Sequence, residues 1–256
     1  MFRFLVSAKD LAVNKDLNII AMIPARIGST RLKMKNLALI NGKPLIYYAI
    51  EAAETSGVFN RIVLNSDNEI FAEIARRYDV EFYQRPVELG SPTTKSDAVV
   101  YDFMSKHPSD VLAWTNPTSP LQTGCEVKEV INYFVREGLD TLITTKNEQV
   151  HCVYQDKPVN FRMEEIFAQT QDLEPVQPFV YSIMMWKNRT FMDAYEKHGH
   201  ALFCGKVGYY PVSKEAALVV KTEEDLMLAD YIMRAEKQRR GQGIEYDKLV
   251  HDLEGV

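Results

Sequence analysis

An α/β domain built on a mostly parallel sheet, with helices on both faces, is the fold class this sequence predicts. Three observations point there. Short apolar runs of four or five residues recur along the chain, each followed by a stretch with helical spacing. The first run ends at Pro24 and passes into a loop holding glycine and several cations. The composition suits a chain that buries a core: of 256 residues, 46% are hydrophobic and 25% charged.

Residues 1–17 read as an N-terminal extension and 18–240 as the domain itself. The run from Ile19 to Ile23 is the first buried parallel strand. Pro44 opens a helix with Ile46, Ala49, Ile50 and Ala53 on one face, and Gly57 can stop it. Residues 61–64 form the next strand. Ser66 and Asp67 are then placed to cap a helix whose inward residues are Ile70, Ile74 and Tyr78. A short strand at 80–83, a helix at 96–106 and an apolar strand at 111–114 follow. Thr123 and Glu126 make a capping box, with Val127, Val130, Ile131 and Phe134 inward, and residues 141–144 are another strand.

Between 148 and 180 neither period is sustained, and Pro158, Pro175 and Pro178 interrupt it. That segment reads as a small insertion lobe for dimerisation or acceptor binding. Regular structure resumes at 180–186, with a helix after Asn188. Thr222 to Asp225 caps the last helix, whose inward residues are Leu226, Ala229, Ile232 and Met233. Lys237, Arg239 and Arg240 stand at its end, and 241–256 is a tail.

The formal charge of -5, with no long basic stripe, argues against nucleic acid or an anionic membrane as partner. Cys125, Cys152 and Cys204 are odd in number and lack C-x-x-C spacing, so neither zinc nor a disulfide framework is expected. A reducing cytoplasm is the expected compartment. No apolar run approaches the roughly 20 residues that span a bilayer.

The loop after the first strand is where open α/β sheets bind ligands. Gly28 and Ser29 are small enough to let backbone N–H groups approach a phosphate. Arg26, Arg31, Lys33 and Lys35 concentrate positive charge there, and a guanidinium fork can hold two phosphate oxygens. A solvated basic loop would show the same charges; the place directly after a buried strand favours phosphate. Both the Walker A and the G-x-G-x-x-G spacings are absent, which disfavours an ATPase or a dinucleotide oxidoreductase.

Residues 23–29 (Ile-Pro-Ala-Arg-Ile-Gly-Ser), Lys35 with Asn36, and 41–46 (Asn-Gly-Lys-Pro-Leu-Ile) open an ordered set of motifs. It continues through Asn65 to Asp67, Arg85 to Leu89, Thr93 to Ser96, Asn116 to Leu121 and Thr222 to Leu226. In this set the chain resembles the acylneuraminate (CMP-sialic acid synthetase-like) cytidylyltransferases. The resemblance is strong over 19–145, weak over 148–215 and partial beyond.

It implies a Rossmann-like nucleotide-diphospho-sugar transferase fold, usually in a homodimer. It also implies transfer of CMP from CTP to a keto-sugar acid, with pyrophosphate released, in surface glycan biosynthesis. The catalytic candidates are Arg26, Lys35 and Lys221. The nucleotide-binding candidates are Arg26, Gly28, Ser29, Asn36, Arg85, Ser96 and Asn116; Gln122 and Tyr181 are the acceptor-binding candidates. Plain structural roles compete for several of these: Asn36 and Asn116 in turns, Arg85 in a surface ion pair, Ser96 as an N-cap.

The sequence departs from the family pattern at defined places. Thr30 stands where a lysine is usual, and Gln122 where an arginine is. Val219 and Lys221 replace the aspartates that hold divalent metal, and 179–182 (Phe-Val-Tyr-Ser) replaces the Arg-Pro-Asn-Gly stretch. Mg2+ is therefore an open expectation. A catalytically impaired nucleotide-binding homologue, or a nucleotidyltransferase for another acceptor, are the alternatives. His198 and His200 read as a surface turn, Trp114 and Trp186 as core.

Overall fold

The apolar runs and helical stretches assemble into three layers in the computed structural model, which describes residues 17–29 and 31–238. In chain order the elements are β1 (Ile19–Ala25), β2 (Leu39–Ile40), β3 (Lys43–Pro44), α1 (Leu45–Ser56), β4 (Arg61–Ser66), α2 (Ile70–Arg77), β5 (Glu81–Gln84), α3 (Ser96–Lys106) and β6 (Val111–Thr115). There follow α4 (Gly124–Arg136), β7 (Thr141–Thr145), β8 (Val153–Tyr154), β9 (Lys157–Pro158), β10 (Phe179–Lys187), α5 (Asn188–His198), β11 (Val207–Pro211) and α6 (Glu223–Gln238).

Seven strands form the main sheet in the order β11-β7-β10-β6-β1-β4-β5. All neighbours are parallel except β10, which runs antiparallel to β6 and β7. Strand alternation sends Ile19, Ala113, Leu142 and Met185 to one face, where α4 covers them with Val127, Val130, Ile131 and Phe134. Ile23 and Leu64 share that face with α1 and α2. Ile20, Met22, Leu112 and Trp186 face the other way, under Val100 and Phe103 of α3 and Phe191 of α5. Both faces are thus apolar, as strands buried on both sides require.

Caps explain most boundaries. Gly57 ends α1 in the left-handed region at φ 65°. Thr123 Oγ1 accepts from the Glu126 N–H at 3.2 Å. The Glu126 carboxylate accepts the Ser213 N–H at 2.7 Å, tying α4 to the segment after β11. Gly124 opens α4 where it crosses α1. A Cβ there would collide with Thr55 Oγ1 and stand 2.7 Å from the Ser56 backbone nitrogen. Gly124→Ala should therefore destabilise the fold by about 1–3 kcal/mol. A lower urea midpoint at unchanged m-value is the expected reading.

Several expectations need correction. Ser66 and Asp67 do not cap α2: Asn68 Oδ1 accepts from the Ile70 N–H at 3.0 Å, and Asp67 turns to Arg85. The inward face of α2 is Phe71, Ile74 and Ala75, while Ile70 is exposed. Two hairpins and β11 have no counterpart in the sequence reading. Asn41 (φ 48°) and Gly42 (φ 81°) turn β2 into β3, the Asn-Gly pattern that tight hairpins favour. The segment 148–180 contains the β8–β9 hairpin, a bridge between Glu148 and Val176, and exposed Met163, Ile166 and Phe167. Of the extension (1–17), Leu17 is described and packs against the core; residues 1–16, Arg239, Arg240, the tail and the Lys237 side chain lie outside the described residues.

Candidate active site

The strand order reverses between β1 and β6, and this is where open α/β sheets place a crevice. Here the crevice has a visible cause. β1 pairs with β6 only as far as Met22, but with β4 through Ala25. Pro24, which has no N–H to donate, therefore sits where β1 is paired on one side alone. Beyond that point a cavity of about 320 Å³ opens at the carboxyl ends of β1 and β6.

One wall carries positive charge. Arg26, Arg31 and Lys35 line the cavity with Ser29 and Asn36. Met34 adopts the left-handed conformation (φ 49°) and turns the chain into a 3-10 turn over Lys35–Leu37, which brings Lys35 inward. The Lys35 ammonium donates to the Val220 carbonyl at 2.9 Å. Burial, then Arg31 and Arg26, push its pKa down to about 8, with Lys221 adding to the fall and Asp225 opposing it.

The opposite wall is polar and partly unsatisfied. Arg85 is 5% exposed; its guanidinium donates to the Ala25 carbonyl at 3.0 Å, the Asn65 carbonyl at 3.2 Å and Asp67 at 3.3 Å. Burial depresses its pKa, against the pull of Asp67. Among the described residues, Asn36 Oδ1, Arg85 Nε and Trp114 Nε1 are buried without a hydrogen-bond partner, and all three residues line this cavity. Native interiors rarely leave such atoms unpaired, so an acceptor and two donors are available to a ligand here.

The remaining candidates divide. Ser96 lines the cavity as the first residue of α3, after an N-cap at Lys95 that makes no side-chain bond. Asn116 lines it too. Its Oδ1 accepts from Thr118 N–H (3.1 Å) and Oγ1 (2.8 Å), and its Nδ2 donates to the Tyr181 carbonyl at 3.1 Å, so its amide holds the turn after β6. Gly28 is exposed and does not line the cavity, and the Ser29 N–H donates to the Ile27 carbonyl at 3.0 Å. Lys221 is exposed beside the cavity; Val220 before it donates its N–H to the Thr118 carbonyl at 2.8 Å.

Gln122 and Tyr181 lie apart from that cavity. Gln122 is buried, donates to Ser182 Oγ at 3.4 Å and borders a second cavity between α1 and α4. Tyr181 is 42% exposed at the bulge of β10, held at φ 61° beside Phe179. Trp114, expected in the core, is only half-buried and forms part of the cavity wall, whereas Trp186 is fully buried. Leu89, Ser91, Pro92, Thr94, Val99, Pro117 and Thr118, with Pro24 and Ala25 of β1, complete the lining. Their place in or beside the quoted motifs is what could have signalled them. Thr30 lies outside the described residues.

A divalent metal does not fit this donor set. Among the described residues no aspartate or glutamate lines the cavity, and no three His, Cys, Asp or Glu side chains are grouped to hold an ion. Asp67 is tied to Arg85. Asp97 accepts the N–H groups of Ala201 and Leu202 at 2.6 and 3.0 Å.

A family model described as cytidylyltransferase matches residues 20–225, which hold every residue that lines the cavity. The chain belongs to the cytidylyltransferase family. Within it, the chain is 27% identical over 249 residues to an N-acylneuraminate cytidylyltransferase of Streptococcus agalactiae serotype III, a match covering 91% of this chain and 59% of the relative. A pseudaminic acid cytidylyltransferase of Campylobacter jejuni is 43% identical over 82 residues, covering 32% of this chain and 35% of the relative. This cytidylyltransferase-family chain thus spans about three-fifths of the length of the streptococcal relative. Its fold is that of a CMP:2-keto-3-deoxy-manno-octonic acid synthetase solved with CTP. The TM-score is 0.68 at 13% identity, over 86% of this chain and 99% of that one. The fold is therefore the Rossmann-like nucleotidyltransferase one.

Proposed function

We propose that the protein transfers CMP from CTP to a sialic-acid-like keto-sugar acid and releases pyrophosphate. One observation carries the reading: a cavity at the sheet's switch point combines four basic side chains with unpaired buried polar atoms and no carboxylate. That chemistry suits a polyanion attached to a hydrogen-bonding base. The relatives named for N-acylneuraminate and pseudaminic acid support the acceptor class.

In the reaction the acceptor hydroxyl oxygen bonds to the α-phosphorus as the bond to the bridging oxygen breaks. The hydroxyl proton passes to solvent water, and pyrophosphate departs with the bonding pair. Such transfers depend on alignment and on stabilising charge spread over phosphate oxygens. Arg26, Arg31 and Lys35 are placed to do that, with Lys221 at the edge. Asn36, Arg85 and Ser96 face the nucleoside, while Asn116 positions the turn that closes the cavity. Gly28 and Ser29 come to the phosphates if their loop reorganises around the ligand. Gln122, in a different cavity, and Tyr181, on the exposed bulge of β10, are not given a role at the nucleotide cavity.

The lobe at 148–180, with its exposed apolar side chains, is assigned to homodimer contacts in a cytoplasmic enzyme of surface glycan biosynthesis. No helix among the described residues is long and apolar enough to cross a membrane. Incubation with CTP and a panel of keto-sugar acids, with pyrophosphate release followed, tests the proposal. Turnover on at least one acceptor is expected. CTP binding without turnover on any would move the assignment to a nucleotide-binding homologue. Thermal stabilisation by UTP, ATP or GTP as strong as that by CTP would remove the cytidine specificity.

A further inference from the structure

A bound triphosphate brings several negative charges, and among the described residues that line this cavity the charged side chains are all basic. Arg26, Arg31, Lys35 and Arg85 line it. Of the carboxylates adjoining its residues, Asp67 pairs with Arg85 and Asp97 holds two backbone N–H groups near α5, while Glu88 is exposed and does not line the cavity. Asp225 accepts the N–H groups of Lys221 and Thr222 at 2.8 and 2.9 Å and so caps α6. Mg2+ demands near-octahedral oxygen ligation and is usually anchored by one or two carboxylates, which this wall lacks.

The backbone at Val220 shows what stands there instead. Its N–H reaches the Thr118 carbonyl at 2.8 Å and its carbonyl receives the Lys35 ammonium at 2.9 Å. Asp225 fixes the next two residues. Lys221 is therefore carried by a pinned strap at the cavity mouth, and its charge is felt by Lys35.

Resting on the nucleotide reading above, we infer that the protein binds the triphosphate without a protein-anchored divalent metal, Lys221 supplying positive charge at the mouth. A single ammonium neutralises charge but cannot bridge several phosphate oxygens as a metal does, so the neighbouring guanidinium groups share the task.

Calorimetric titration of CTP into the full chain, with MgCl2 and separately with EDTA, tests this. The unsubstituted protein should bind with less than a threefold difference between the two buffers. Lys221→Met should weaken binding about tenfold in EDTA, equivalent to about 1.4 kcal/mol, and Lys221→Arg should retain it. Lys221→Asp should bind more weakly still in EDTA and regain affinity with Mg2+. Lys221 is exposed, and circular dichroism of each variant confirms that the fold is intact. A loss of threefold or more when Mg2+ is withdrawn from the unsubstituted protein, or unchanged EDTA affinity in Lys221→Met, overturns the inference alone. Absence of CTP binding in both buffers overturns the nucleotide reading and this inference together.

Discussion

Lys35→Ala should weaken CTP binding by about two orders of magnitude, the largest functional effect expected of a single substitution here. The ammonium sits partly buried among Arg26, Arg31 and Lys221, where its interaction with an anion is screened less than at the surface. Its titration provides a second signature. Lys35 in the free protein loses its proton near pH 8. Phosphate oxygens favour the charged form and raise that pKa in the complex. Affinity should therefore be full below pH 8 and fall as pH rises through it, by at most about tenfold per pH unit. The charged groups that act on Lys35 there are Arg31, Arg26 and Lys221, which lower its pKa, and Asp225, which raises it. Lys35→Arg should bind CTP with little change between pH 7 and 9.5. A flat profile for the unsubstituted protein would remove Lys35 from the phosphate site.

Arg85→Met should produce the largest loss of stability, about 3–5 kcal/mol, because it leaves the Asp67 carboxylate buried and unpaired. The Asp67 side chain is 9% exposed and Arg85's 4%. A side chain on Gly90 would collide with that carboxylate, so the pocket around it is closed to easy relaxation. The Ala25 and Asn65 carbonyls lose donors at the same time. For a chain of this size the melting temperature should drop by roughly 10 °C. Adding Asp67→Asn should recover part of the loss, since the uncompensated charge disappears; a purely additive double variant would show that the pair is not coupled.

How much of this was legible beforehand differs by element. The edges of α1 and α3 and the apolar cores of β1, β4, β6 and β7 follow from periodicity and from stop signals such as Gly57. The Asn41-Gly42 hairpin carried a local signal that the apolar-run reading passes over. β11 did not: its five residues show no sustained alternation and become a strand only by pairing with β7. At the site, the cationic loop was visible because charge clusters in sequence. Trp114 was not readable as a cavity wall, since an apolar run looks the same whether its last residue meets a helix or a crevice.

Composition and local spacing by themselves determined an α/β domain and a cation-rich loop after its first strand; the nucleotidyltransferase expectation came from the resemblance its ordered motifs carry. Tertiary structure decided which charges face one another. Lys35 meets the carbonyl of Val220, 185 positions along the chain, and Arg85 closes on Asp67 beneath β1. Gln122 is carried away to a different cavity, and Asp225 and Asp67 beside the site are spent on a cap and a buried ion pair. The physical reason is range. Periodicity reports each residue's own turn or strand, whereas pairing, desolvation and a shifted pKa depend on groups that only folding brings together.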